Sequence, residues 1–235
     1  MGLARITLSV AALTLANLVP LVGVFFFHWD AAAIVLLYWT ENLVLGGYNI
    51  LKMIVLKPKN AGGHLGKLFI IPFFCVHYGA FCAVHGFFLL AFFHLGGEST
   101  LPTPGHDWPG PLVFVQLLVS VVTRLWESHP EGMQWSVLML TLSHGVSFVQ
   151  NFLRGGEYAA LSLDKLMSQP YKRIVLTHIA IIAGGVPVMA LGSPVPLLVI
   201  LIALKIGMDL WLYTRSHKAA PGKAGNEAGV EAADD

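Results

Sequence analysis

The chain has few charged residues, and this shortage already excludes several classes of protein. Only 11% of its 235 residues are Asp, Glu, Lys or Arg, whereas 56% are hydrophobic. Soluble domains carry roughly 25% charged residues, so the composition argues against a soluble globular fold. The formal net charge of +1 gives no reason to expect nucleic acid as a partner.

Cysteine and the familiar metal motifs are also scarce. The only two cysteines, Cys75 and Cys82, are seven residues apart in one apolar run. A helix would separate them by about 10 Å of rise, so they cannot pair with each other within it. The sequence contains no His-Glu-x-x-His, Glu-x-x-His or Cys-x-x-Cys motif. Any metal site must therefore be assembled from residues far apart in the chain.

What the chain has in abundance is long apolar runs. Six of them are long enough to cross a bilayer as helices. They lie at about 6–27, 31–56, 68–93, 133–153, 171–191 and 195–213. The sequence therefore predicts an all-α integral membrane protein with one multi-pass transmembrane domain, residues 1–215. The remaining residues, 216–235, lack an apolar period and are predicted to form a disordered cytoplasmic tail.

The distribution of basic residues predicts the orientation. Lysines cluster in the loop at 57–67, which the positive-inside rule assigns to the cytoplasm. Residues 112–127 have a polar stripe at helical spacing, and we expect an amphipathic helix on the membrane surface there. If that helix crossed instead, the basic loop at 154–173 would lie outside. The prediction is thus six spans in the inner (plasma) membrane, with both termini cytoplasmic.

Polar residues inside these runs fall into two predicted layers. Counting 1.5 Å per residue from the span ends places one layer near the midplane and the other nearer the cytoplasm. The midplane layer contains Glu41, His85, His144 and Lys205. The cytoplasmic layer contains His77, His178 and Asp209. On one helix His77 and His85 would be about 12 Å apart, too far for a single metal ion.

The leading hypothesis from these residues is a metal-binding membrane protein. Four imidazoles and a carboxylate offer ligands suited to Zn, Fe or Cu, and they are His77, His85, His144, His178 and Asp209. Glu41 is the candidate acid or base, and Lys205 is its candidate charge partner. Such a site is compatible with a membrane-embedded enzyme acting on a hydrophobic or lipid substrate, although the sequence leaves open whether the protein is an enzyme.

Two other hypotheses remain open at this stage. A small proton-coupled transporter would use Glu41, Lys205 and Asp209, and helices broken near 46–47 or 184–187 would favour it. A scaffold would use its polar core only to pack helices, and continuous helices without a cavity would favour that. Expected partners are membrane lipids, a second copy of the chain or another membrane protein.

The same polar residues carry a resemblance to a known family. They occur as Tyr38-Trp39-x-Glu41-Asn42, His77-Tyr78-Gly79-x-Phe81, His85-Gly86-x-Phe88, Ser143-His144-Gly145 and Lys205-x-x-x-Asp209. From about residue 31 to 217 the chain resembles the bacterial and archaeal membrane proteins grouped as domain of unknown function 6498. The resemblance implies the membrane class and the importance of these polar residues, and it implies no particular activity.

Overall fold

A computed structural model describes residue 18 and residues 20–57, 61–93, 108–128, 131–156, 158 and 161–218, except the side chains of 61–63 and 209–218. Most of the predicted first span, most of the predicted tail and the Asp209 side chain lie outside this part. The helices within it are α1 (20–27), α2 (Ala31–Val55), α3 (Ala61–Phe92), α4 (Val113–Glu127), α5 (Met133–Ser147), α6 (Leu163–Ser168), α7 (Tyr171–Leu191) and α8 (Val195–Lys218). A 3-10 turn at Gly110–Leu112 precedes α4, and a π-helix at Phe148–Arg154 continues α5. The described residues contain no strand, which confirms the predicted all-helical class.

Within the described part of the chain, four helical stretches are long and apolar enough to cross a membrane. They are His64–Phe92, Gly110–Glu127, Met133–Arg154 and Leu163–Leu191. Helix α2 has a sufficient length of 25 residues, and one of its faces carries Glu41, Asn42, Asn49 and Lys52. These helices suit a membrane protein, whereas the count of six spans and their orientation stay predictions.

The outer surfaces of α5 and α7 are hydrophobic. On α7 the side chains of Val186 and Met189 are both 74% exposed, and on α5 Met139 is 66% exposed. Contiguous apolar surface of this kind is rare on soluble monomers. It is the surface that a helix presents to hydrocarbon.

Contacts between α2 and α3 show that these two helices run antiparallel. Near the start of α2, Trp39 Nε1 donates a hydrogen bond to the Cys82 carbonyl at 3.0 Å. Near its end, Lys67 Nζ donates to the Ile54 carbonyl at 2.8 Å. Residue numbers thus fall along α3 as they rise along α2. Both helices belong to one compact unit, Trp29–Leu201, which also holds the candidate site.

The directions of α5 and α7 follow from equally specific pairs. Helix α5 and its π-helical extension run parallel to α2, because Glu41 lies beside His144 and Lys52 lies over the Phe152 ring. Helix α7 runs parallel to α3, because His77 contacts Tyr171 and His85 contacts His178. Helices α3 and α5 are therefore antiparallel, so the chain leaves α3 and enters α5 at the same end of the bundle.

Helix α4 lies in the connection between α3 and α5. Its bounds, Val113–Glu127, agree with the helix predicted at 112–127. Val121 and Leu125 are buried, and Val121 lies against α3 at Gly86. The exposed side is hydrophobic as well, since Val119 and Trp126 are both more than half exposed. The helix packs along α3, while its placement on the membrane surface stays a prediction.

Small residues let these helices approach closely. A Cβ on Gly46 would lie 2.6 Å from Tyr78 Cε1, and one on Gly86 would lie 2.6 Å from Trp39 Cζ2. Neither ring has room to retreat, because Tyr78 and Trp39 are both buried. Glycine at these positions brings α2 and α3 into contact.

Candidate functional site

The polar face of α2 points at the neighbouring helices. The helix begins after Asp30, whose carboxylate caps it by accepting a hydrogen bond from the Ala32 backbone N–H at 2.8 Å. Asn42 and Asn49 are each 5% exposed, and Asn49 Nδ2 donates to the Leu166 carbonyl at 2.8 Å. Among the described residues, every buried side-chain nitrogen or oxygen has a hydrogen-bond partner. The face is therefore built into the core.

Glu41 is the acidic centre of this face. Its Oε1 lies 2.9 Å from Arg173 Nη1 on α7 and 3.7 Å from His144 Nε2 on α5. The Glu41 side chain is 17% exposed, so its charge is largely removed from solvent. A carboxylate in that position needs a cation, and Arg173 supplies one. Three helices thus meet at a single carboxylate.

Arg173 is the residue of the candidate site that sequence reasoning missed. The sequence prediction counted Arg173 among the basic residues of the cytoplasmic loop. That assignment accounted for its charge through topology and gave no reason to place it in the site. Helix α7 starts after Pro170, which places Arg173 in the first turn, beside Glu41. A further contact aligns α7 with α2. Asn42 Nδ2 lies 3.5 Å from Thr177 Oγ1, and the Thr177 hydroxyl donates to the Arg173 carbonyl.

A cavity of about 150 Å³ lies on the other side of Arg173 and His144. Its polar lining consists of Tyr48, Asn49, Lys52, His144, Ser147, Gln169 and Arg173. Glu41 stands behind this wall, in contact with two of the lining residues. The cavity therefore has an acid–base pair, His144 with Glu41, at its back and two cations on its walls.

Among the described residues, the charges around the cavity do not cancel. Arg173 is neutralised by Glu41, whereas among the described residues Lys52 forms no ion pair. Its ammonium lies instead 5.5 Å from the centre of the Phe152 ring, a cation–π contact that holds the side chain without neutralising it. Lys52, Arg173 and Glu41 together carry a net charge of about +1 at neutral pH.

The π-helix at Phe148–Arg154 forms part of the same wall. Phe148 lines the cavity, and the fully buried Phe152 stacks on it with ring centres 5.6 Å apart. A π-helical turn is rare and is frequently found at functional sites. Here the π-helix carries Phe152, whose ring makes the cation–π contact with Lys52.

The other three histidines of the predicted site, His77, His85 and His178, make two separate side-chain contacts. His85 is 1% exposed, and its Nε2 lies 2.9 Å from His178 Nδ1, so one imidazole donates a hydrogen bond to the other. His77 Nδ1 lies 2.8 Å from the Tyr171 hydroxyl, and its ring stacks on Phe73 at 5.1 Å. Each pair joins α3 to α7.

This arrangement corrects the predicted layers. The prediction placed His85 with His144 and Glu41, and His178 with His77, whereas the structure pairs His85 with His178. The physical reason is the register between the two helices: His85 lies seven residues before the end of α3 and His178 thirteen before the end of α7, so the two helix ends do not lie at the same depth, as the counting assumed. The structure does bring His144 and Glu41 together.

The predicted metal centre does not appear among the described side chains. In that part of the chain no three His, Cys, Asp or Glu residues come together as a metal would require. The Asp209 side chain is not described, so the proposed ligand set of His77, His85, His144, His178 and Asp209 stays a prediction. Lys205 belongs to a second compact unit, and its pairing with Glu41 likewise stays a prediction.

Fold and site together define a helical membrane protein with a cation-lined polar cavity. The chain belongs to a family of unknown function, DUF6498, whose model matches residues 2–226. The match confirms the resemblance noted in the sequence and extends it beyond residues 31–217. Comparisons with curated proteins and with solved structures found no match.

Proposed function

We propose that the protein binds an anionic ligand in the cavity beside Arg173 and Lys52, and exchanges a proton with it through His144 and Glu41. The observation that carries the proposal is the position of Glu41, held between Arg173 and His144 directly behind the cavity wall. The ion pair keeps the guanidinium in place, and Lys52 supplies the charge that remains for the ligand.

The acid–base part of the proposal rests on His144. Imidazole is the side chain best suited to proton exchange near neutral pH. A proton taken from the ligand by His144 would be stabilised by the carboxylate 3.7 Å away. This keeps the acid–base role predicted for Glu41 but makes Glu41 the partner of His144.

The geometry also separates this proposal from the two other hypotheses. Helices α2 and α7 are continuous through Gly46–Gly47 and Gly184–Gly185, where breaks would have favoured a transporter. A cavity lined by seven polar side chains is, in turn, more than helix packing in a scaffold requires. Ligand binding with acid–base chemistry fits both observations.

The proposal includes the topology. We propose six spans in the inner membrane, with both termini cytoplasmic. The antiparallel course of α3 and α5 supports it, because the end of α3 and the start of α5 then lie on the same side of the membrane. The connection that contains α4 therefore begins and ends on that side. In this orientation Lys52 and Arg154 lie towards the cytoplasmic headgroups, as the positive-inside rule requires.

Binding of inorganic phosphate to the detergent-purified full chain tests the function. Isothermal titration calorimetry should show saturable binding that weakens about tenfold in Lys52→Gln and in Arg173→Gln, because each removes a charge-assisted hydrogen bond. Lys172→Gln is the matched control, since it removes the same charge from the exposed neighbour of Arg173. Absent phosphate binding, or equal weakening in all three variants, would overturn the proposal.

A further inference from the structure

A second cavity, an apolar groove of about 480 Å³, lies on the outer side of α5. Leu142, Val146 and Val149 line it at helical spacing, and they are 54%, 53% and 39% exposed. Gly145 lies among them, where the lack of a side chain leaves room. This α5 groove faces the surroundings of the bundle, which in a membrane protein are lipid.

The α5 groove and the polar cavity share part of their walls. Tyr48 and Phe148 line both. Tyr48 is fixed there because its hydroxyl donates to the Thr141 carbonyl at 2.9 Å and its ring packs on Phe148, with centres 5.8 Å apart. Residue 145 must be glycine, because a Cβ at this position would lie 2.7 Å from the Tyr48 hydroxyl oxygen. The two spaces therefore adjoin along Tyr48 and Phe148.

Charge is concentrated at one end of this combined site. Lys52 and Arg173 line the polar cavity, and Arg154 lines the α5 groove. Leu142 lies twelve residues before Arg154 along the helix, about 18 Å away at an α-helical rise. One end of the site therefore suits an anionic group, and the other suits a hydrocarbon chain.

We propose that the site binds a membrane lipid with a phosphate-containing anionic headgroup, the headgroup beside Lys52 and Arg173 and one acyl chain in the α5 groove. This inference rests on the proposed function and names its ligand class. A small soluble anion would fill the polar cavity and leave the groove without a role. The headgroup of a zwitterionic lipid also carries a positive group, which would lie near Lys52 and Arg173. Electrostatic repulsion disfavours that arrangement.

Native mass spectrometry tests the lipid directly. The full chain is incubated in mixed micelles with equimolar phosphatidylglycerol and phosphatidylcholine of identical acyl chains, and the bound lipids are counted. Wild type should retain about tenfold more phosphatidylglycerol, and Lys52→Gln should bring the ratio close to one, as expected for loss of a charge-assisted contact. Val146→Phe should fill the groove and lower the retention of both lipids several-fold.

Val186→Phe is the matched control for the groove, because Val186 is 74% exposed on α7 and outside it. This variant should retain lipid as wild type does. Equal retention of the two lipids by wild type, an unchanged ratio in Lys52→Gln, or equal losses in Val146→Phe and Val186→Phe would each overturn the lipid proposal. If lipid retention fails in one of these ways and phosphate still binds, the proposed function stands. If neither the lipid nor phosphate binds as predicted, both proposals are overturned.

Discussion

Arg173 Nη1 lies 2.9 Å from Glu41 Oε1 and so ties the first turn of α7 to the middle of α2. The two side chains are 31% and 17% exposed, which makes the pair partly shielded from solvent. Because α2 also carries Lys52 and packs against His144, this one contact fixes the back of the cavity.

Removing either partner should therefore cost stability, and removing both should cost less than the sum. We expect Glu41→Gln and Arg173→Gln each to lower the free energy of unfolding, with a coupling energy of about 1 to 2 kcal/mol in the double variant. Denaturant unfolding of the four proteins in one detergent measures it. Strictly additive losses would show that the ion pair contributes nothing.

Two adjacent glycines allow a test of helix packing with a built-in control. Gly46→Ala should destabilise the protein by about 1 to 3 kcal/mol, because its Cβ would be forced against the buried Tyr78 ring. Gly47→Ala should leave stability unchanged or raise it by up to about 1 kcal/mol, since nothing lies within 4 Å of its Cβ. Thermal unfolding compares them. Similar effects of the two changes would contradict the packing of α2 on α3.

The His85–His178 hydrogen bond should be measurable in the same way. His178→Ala leaves the buried His85 without its partner, and we expect a loss of about 1 to 2 kcal/mol. The exposed His64, near the start of α3, is the control, and its replacement by alanine should have little effect. Equal stability of the two variants would show that the imidazole pair is not formed.

The proposed topology predicts which side of the membrane each loop reaches. In a background with Cys75→Ala and Cys82→Ala, Glu131→Cys should react with a membrane-impermeant maleimide in intact cells. Lys57→Cys should react only after the cells are opened. Protection of the cysteine at 131 in intact cells would mean that α4 crosses the membrane and that the count is seven.

Much of the fold could be predicted from the sequence because hydrocarbon imposes simple rules on it. Apolar length predicted the helices containing Met133, Tyr171 and Val195 to within a few residues of their observed starts. The polar residues of α2 recur at helical spacing, which is the sequence signal for the face that points inward.

The site was harder to predict because pairing depends on the register between helices. Depth counting put Glu41 and His144 together, as the structure does, but misplaced His178 because it assumed that α3 and α7 end at the same depth, whereas His85 and His178 are seven and thirteen residues from those ends. Arg173 was hidden for a different reason: a basic residue at a span end has an explanation in topology alone. Its position two residues inside the predicted span 171–191 was the available signal.

Locating a bound anion tests the central claim most directly. Crystals of the full chain soaked in selenate, an anion with strong anomalous scattering, would show where the anion binds. We predict an anomalous peak within hydrogen-bonding distance of both Arg173 and Lys52, and its loss in Lys52→Gln. An empty cavity, with selenate only at exposed lysines such as Lys172, would contradict the account.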